Sequence, residues 1–589
     1  MPVAPEGPQF SVREIPFSYR GSWFNFSPVI AEKTYADDIH LVSHQTGLHP
    51  VLRLIPHFGG VRTEATVTAM PPRLAWNHGA GGIELAYESA DTVRVRGHEL
   101  GLRIVAAAPT LTPFSGPYFL HDPVDGSYLF TLYETGRRYR VTILSGPPAS
   151  AAGTQQLGTT ERAITLDDNR AWELAIEEFD TARPPYRPTR TFDQVVASAA
   201  TDFNRYLDLV APWRSADTPA AELAAYVMWS ATVRPAGFIT RPAVLMSKHW
   251  MNKVWSWDHC FNALALAAGL PELAWDQFRL PFDYQDTSGA LPDSVTHSEV
   301  LYNFVKPPVH GWTLRQLRQQ IPTLSRAELT DAYQWLTHWT NFWLTARRVP
   351  GHPLAHYQHG NDSGWDNATT FDPDSVTESA DLATFLVLQM RELAELASEL
   401  DLAGEAGAWT DAADRMRAAL LRLWTGNSFA ARAAGTERTW TSASLMNLMP
   451  ILLADELPDQ IRNAVAARIH QHLTPYGLAT EPTTSPHYRA DGYWRGPIWA
   501  PATILIEDGL RRSGFTDLAD GISGRFRALC ERSGFAENFD ALTGAGLRDR
   551  AYTWTASGYL ILAAAHQHRR SLEAASDYVP GTILPVDGS

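Results

Sequence analysis

The sequence predicts a multidomain β + α chain: an N-terminal β-sandwich followed by a large helical domain that closes into an (α/α)6 barrel. Three observations predict it. Short runs of alternating apolar and polar residues, bounded by Gly, Pro and Asp, fill residues 1–185. From residue 218 the apolar period changes from two to three and four. The helical segments then recur about every 30 residues, a spacing at which helix pairs stack side by side. Periodicity alone gives a large all-α domain; its closure into a ring of inner and outer helices is an inference from that spacing. A chain of 589 residues has room for two domains, or three.

The β-domain is placed at residues 1–185. Runs such as 63–68, 92–96 and 139–144 read as strands, and His78–Gly82 and Gly146–Pro148 read as turns. No phosphate-binding loop appears, and two packed sheets fit the pattern. Residues 186–217 form a linker with a connecting helix. The Pro-rich stretch 184–190 is its start, and Thr191 is placed as the N-cap of the amphipathic run that follows. Residues 218–575 hold about a dozen helix candidates with no convincing strand between them. Residues 576–589 read as a C-terminal tail. The segments joining the helices (255–261, 283–312, 356–374, 479–499 and 533–546) are long and rich in Trp, Tyr, Asp, Glu, Asn and Gly. Long loops inside a compact domain usually carry function.

Charge narrows the function. A net charge of -15 argues against nucleic acid and anionic membrane surfaces, which need a basic face. No apolar run approaches the ~20 residues of a membrane span, and the N-terminus lacks the pattern of a secretory signal. A cytoplasmic location is the expectation. Cys260 and Cys530 stand far apart and read as buried thiols. The spacing of His352, His356 and His359 lacks a zinc signature, and no metal or other cofactor is expected. Of the 20 tryptophans, 17 lie from Trp213 onward, which suits either a large helical core or a cleft that stacks on sugars. Only four lysines occur, and Lys248, Lys253 and Lys306 cluster in the sequence.

Several carboxylates sit in aromatic loops. Asp366 lies in Gly364-Trp365-Asp366-Asn367. A carboxyl beside an indole is partly desolvated, which raises its pKa and suits a general acid; a turn residue beside a core Trp has the same sequence. Glu537 lies in a Gly-rich loop and reads as a general base or as a capping carboxylate. Asp258 follows Trp255 and Trp257 and precedes a helix, so it suits sugar hydroxyls, a helix N-cap, or both. Trp494, Arg495, Gly496 and Trp499 combine rings with a fixed guanidinium, whose plain alternative is an ion pair with a structural Asp.

Taken in order, these loops resemble the bacterial branch of glycoside hydrolase family 63. The matching stretches are Ile15–Ser18, Trp255–Phe261, Lys306–Trp312, Gly364–Asn367, Tyr493–Trp499, Glu537–Gly544 and Trp554–Ala556. That group holds α-glucosidases and the mannosylglycerate and glucosylglycerate hydrolases, with trehalases and processing α-glucosidase I as more distant kin. The resemblance implies a β-sandwich ahead of an (α/α)6 catalytic barrel and an inverting, exo-acting α-glycosidase. It implies Asp366 as general acid and Glu537 as general base, with carboxyls roughly 6.5 to 9.5 Å apart. Asp258 would hold hydroxyls of the terminal sugar, expected to be glucose. Trp255, Trp257, Trp312, Trp365, Trp494 and Trp499 would line the pocket with Gly364 and Gly496, and Asn367 and Arg495 would orient sugar or carboxyls. Lys306, with Lys253 and Arg495, would meet a carboxylate if the leaving group were acidic. Ala502, Thr503 and Phe539 depart from the family pattern and leave the sugar open. The expected partner is a small carbohydrate. Two alternatives remain: a phosphorylase on the same barrel, and a non-catalytic carbohydrate-binding protein.

Overall fold

The computed structural model describes residues 7–154 and 156–576. The expected tail lies outside the described residues apart from Ser576, which ends the last helix.

Two antiparallel sheets form the N-terminal part. One runs Phe24–Ala31, Thr34–Ser43, His49–Phe58, Gly101–Ala106, Ala163–Leu166 and Ser150–Ala152, with Val61–Arg62 paired to His49–Phe58. The other runs Pro117–His121, Tyr128–Leu132, Arg138–Ser145, Trp172–Phe179, Thr92–His98, Gly81–Ser89, Arg73–His78 and Thr66–Met70. The alternation read from the sequence buries one face of each strand: Phe26, Leu41, Leu54 and Ile104 from the first sheet share a core with Leu85, Val93, Val95 and Leu174 from the second. The connecting helix Phe192–Val210 begins where expected. Thr191 Oγ1 accepts from Gln194 N at 3.3 Å and Gln194 Oε1 accepts from Thr191 N at 2.9 Å, a reciprocal capping box. The helix lies against Gly81–Ser89.

The helical part closes into a ring. Its inner members are Asp258–Leu266, His310–Gln320, Ala380–Glu399, the 3-10 segment Leu445–Glu456, Ala500–Arg512 and Thr553–Ser576. Each packs on the next, and the last returns to the first. Ala221–Ala231, Pro271–Arg279, Arg326–Thr345, Ala403–Leu421, Asp459–Gln471 and Thr516–Ser533 pack outside them. This is the (α/α)6 arrangement. The fourth inner member, whose apolar spacing reads as α, is a 3-10 segment because Pro450 removes a backbone donor from it.

One expectation needs correction. Short ladders do interrupt the helices. Val254–Trp255, Ser294–Val295 and Val300–Leu301 form one, Thr377–Glu378, Ala431–Ala433 and Thr439–Trp440 another. Thr232–Val233 pairs with Ala243–Val244, and Asn538–Phe539 with Gly546–Leu547. Two or three residues carry no readable alternation, so periodicity cannot reveal them.

Lys248 pins the two parts together. Its buried Nζ donates to Ser18 Oγ at 3.0 Å, Ser22 O at 2.7 Å and Ser230 O at 2.6 Å. Ser230 lies at the end of Ala221–Ala231, where free carbonyls attract a cation. Asn25 Nδ2 donates to Lys248 O at 2.7 Å, and Trp23 Nε1 to Arg234 O at 3.0 Å. Lys248→Met leaves two buried carbonyls without a donor, so a loss of about 1–3 kcal/mol is expected in chemical denaturation. An unchanged midpoint and slope would contradict this role.

Candidate active site

The sequence-predicted residues gather where the inner segments begin. Asp258 opens the first inner helix, Lys306 stands just before the second, Trp499 caps the fifth and Trp554 lies in the first turn of the sixth. The loops bearing Asp366 and Glu537 reach the same end, and Glu537 feels the charge of Asp366. Asn367 staples two loops together: its Oδ1 accepts from Trp494 N at 3.0 Å and its Nδ2 donates to Gly492 O at 3.1 Å. Arg495 strengthens the staple, with Nε on Asn367 O at 2.7 Å and an ion pair to Asp372.

The indoles support one another. Trp494 and Trp499 stack at 4.0 Å and 5°, Trp365 lies 4.7 Å from Trp494, and Trp554 meets both Trp257 and Trp499 edge-on. Trp257, Trp365, Trp494 and Trp499 are buried, whereas Trp255 is half-exposed. Gly364, at φ +70°, leaves the space that Trp257 fills, since a Cβ there would stand 2.5 Å from the ring. A Cβ at Gly496 would stand 2.4 Å from Arg489 O. Trp312 stands apart from this group: it packs on Phe261 and donates to Asp508 Oδ2 at 2.9 Å, deeper in the barrel.

Asp258 and Glu537 are buried, Asp366 is half-buried, and all three have few partners. Burial pushes Asp258 up to about 8, helped by Asp293 and Asp366 and opposed by Lys306. Asp366 is raised by burial too, against the pull of Lys306 and a hydrogen bond from the Tyr493 hydroxyl. Glu537 is pushed up to about 8 by burial and by Asp549, with Arg548 opposing. Asp258 Oδ2 and Glu537 Oε2 have no hydrogen-bond partner within the protein. A buried polar atom left unsatisfied is costly, and a ligand hydroxyl or water would relieve it.

Lys306 is the ammonium among these acids. Its Nζ pairs with Asp293 Oδ1 at 3.0 Å and donates to Asn361 O at 2.9 Å. Tyr493 and Arg548 both have left-handed backbones, at φ 64° and 61°. Such residues cost of order 1–3 kcal/mol and persist only where their surroundings hold them. Here the Arg548 guanidinium lies 4.9 Å from the Tyr493 ring centroid, pairs with Asp491 at 2.8 Å and donates to Asn538 Oδ1 at 3.0 Å.

Residues 251–555 match the model of the mannosylglycerate hydrolase MGH1-like glycoside hydrolase domain, a little over half of the chain. The chain belongs to this glycoside hydrolase family. A mannosylglycerate hydrolase of Rubrobacter radiotolerans is 25% identical over 422 residues, covering 54% of this chain and 92% of that protein. Two crystal structures of a GH63 mannosylglycerate hydrolase from Thermus thermophilus share the fold. The complex with glucose has a TM-score of 0.51 at 21% identity, covering 57% of this chain and 98% of that one. The complex with Tris and D-glycerate has a TM-score of 0.50 at 22% identity, with the same coverage. The family match begins after the β-sandwich, so the N-terminal sheets lie outside it.

Sequence reasoning missed Asp293, Tyr493, Arg548 and Asp549, which the structure sets beside the candidate carboxyls. Tyr493 lies in a recognised stretch, and Asp293 lies in a long loop already marked by composition. The others carry no such signal. Among the described residues, no three His, Cys, Asp or Glu side chains are grouped to hold a metal. Cys260 and Cys530 are buried and unpaired, and among the described residues no helix is long and apolar enough to cross a membrane.

Folding forces Glu537 to keep a proton that the unfolded chain releases near 4.5 and the folded chain near 8. Wild-type stability from this group is therefore present below pH 4.5 and lost as pH rises to 8. Glu537→Gln is expected to melt higher than wild type by a margin that widens across that window, read by calorimetry at several pH values. A flat or negative margin would contradict the burial cost.

Proposed function

We propose that this chain is an exo-acting, inverting α-glycosidase that releases one terminal α-linked hexose, glucose being the first choice, from a small glycoside. Asp366 protonates the glycosidic oxygen. Glu537, in the ionised form that its pKa of about 8 makes dominant only toward alkaline pH, deprotonates a water on the opposite face of the ring, and the anomeric centre inverts through an oxocarbenium-like state. Asp258 holds hydroxyls of the departing sugar. The observation that carries this reading is the pair of carboxyls, Asp366 and Glu537, on separate loops at one barrel mouth, near enough for Glu537 to feel Asp366, with the Tyr493 hydroxyl bonded to Asp366 and within the field of Glu537. Asp366, lifted by burial despite the opposing Tyr493 hydroxyl, suits an acid that must hold its proton. Glu537, with a free Oε2, has a face for water.

The charges also bear on the leaving group. Lys306 is committed to Asp293, Arg495 to Asp372 and Arg548 to Asp491. Lys253 alone of the candidate cations pairs with no carboxylate among the described residues, and its Nζ lies 5.9 Å from the Trp255 ring. A neutral sugar leaving group fits this balance better than an acidic one. Phosphate as nucleophile fits worse still, because Asp258, Asp293, Asp366, Glu537 and Asp549 outnumber Lys306 and Arg548 around the reacting centre. A glycerate glycoside is the second reading, because the relatives named above are mannosylglycerate hydrolases.

Proton NMR of the enzyme with neutral α-glucosides, α-mannosides, glucosylglycerate and mannosylglycerate tests the reading. The β-anomer of the released sugar is expected first, from a neutral glycoside, and Asp366→Asn should be at least about 100-fold slower. The α-anomer first would overturn the inverting mechanism. Turnover confined to the glycerates would overturn the neutral leaving group.

A further inference from the structure

The loop that carries Glu537 is anchored from behind by residues some 300 positions away in sequence. Glu537 N donates to Asp549 O at 2.7 Å, next to the ladder that pairs Asn538 with Leu547. The Asp549 side chain then turns away from this loop. Its Oδ1 accepts from Ser247 Oγ at 3.0 Å and from Ala551 N at 3.0 Å, and His249 Nδ1 lies 3.2 Å away. Asp549 and His249 are wholly buried, and His249 N is itself held by Ser247 Oγ at 2.9 Å. A carboxylate only accepts hydrogen bonds, so the proton between the two lies on His249 Nδ1. That leaves His249 Nε2 and Asp549 Oδ2 without partners, each fully buried. The loop bearing His249 is gripped from its other side by the β-sandwich: Asn25 Nδ2 bonds Lys248 O and reaches His44 Nε2 at 2.6 Å, and Asn252 Nδ2 donates to His44 O at 3.4 Å.

We propose that His249 and Asp549 are positioning residues for Glu537, fixing its loop through the Asp549 backbone and setting its readiness to take a proton through the Asp549 charge, which the His249 N–H tempers. This rests on Glu537 being the base. Asp549 raises Glu537 electrostatically, and the neighbouring Arg548 opposes it. The other charged or titratable groups facing this cluster are Asp366 and Tyr493 beyond Glu537, Tyr552 just before the sixth inner helix, Tyr35 on the β-sandwich, and His44 and Lys248 behind His249. Burial holds His44 neutral down to about 3 and pushes the Tyr552 phenol far up, so neither changes charge near neutrality. The β-sandwich, which lies outside the family match, thereby reaches the base through one buried hydrogen-bond chain.

The acidic limb of kcat/KM against pH reads the free enzyme's base. Asp549→Asn keeps an acceptor oxygen for Ser247 and Ala551 but removes the charge, so the limb is expected to move down by about one pH unit. His249→Ala removes the tempering donor and is expected to move it up. His249→Asn, whose side-chain amide can stand in for Nδ1, is expected to restore the wild-type limb. Loss of activity in these variants with no displacement of the limb would reduce the pair to structure alone and overturn the proposal. So would displacement of both in one direction. If Asp549→Asn does not fold, the two His249 variants decide the matter alone. Glu537→Gln separates the two readings: full activity there removes the base assignment itself.

Discussion

The ring stands on a buried polar seam where its last helix meets its first. Asn262 donates to Thr553 Oγ1 at 3.3 Å, and Ser557 Oγ returns a bond to Asn262 Oδ1 at 2.7 Å. Thr553 also donates, through its N at 2.9 Å to Met246 O and its Oγ1 at 3.2 Å to Leu245 O. All of these groups are buried, so each bond omitted would leave an unsatisfied atom in the core. The seam closes a barrel whose ends are nearly 300 residues apart and delivers the Glu537 loop to the mouth where Asp258 and Asp366 already stand. Without it Asp258, Asp366 and Glu537 would belong to separate parts of a curved stack.

Closure creates an electrostatic problem that the site's chemistry uses. The inner segments present their N-terminal ends to the mouth, where unpaired N–H groups favour negative charge. Asp258 takes such a position directly. Yet burial outweighs that help and lifts Asp258, Asp366 and Glu537 together. Lys306, fixed by Asp293 and by the carbonyl of Asn361, is the counter-charge that keeps the group tolerable. Its pairing explains why it cannot also serve an acidic ligand without giving up Asp293.

The coarse architecture was legible because it rests on local signals. Alternation marked the sheets, Thr191 as an N-cap marked the connecting helix, and helical spacing marked the ring. Asp366, Asp258 and Glu537 were legible as candidates because carboxylates beside indoles or in Gly-rich loops stand out in composition. What escaped depends on partners distant in sequence or on backbone shape. Asp293 matters only because the ladder at Val254–Trp255 brings it to Lys306. Tyr493 and Arg548 are left-handed without being glycine, which no residue type announces. His249 and Asp549 meet across the closure seam. The indoles expected to wall an open pocket instead stack mainly on one another, since a ring of aromatic loops buries its rings mutually as it closes.

The central claim is the division of labour between Asp366 and Glu537. Hydrolysis of an α-hexosyl fluoride tests it most directly, because fluoride departs without a proton while the attacking water still needs a base. The account expects Asp366→Ala to hydrolyse the fluoride at a rate near that of wild type while failing on an unactivated disaccharide, and Glu537→Ala to fail on both. A Glu537 variant that retains fluoride hydrolysis, or an Asp366 variant that loses it, would contradict the assignment.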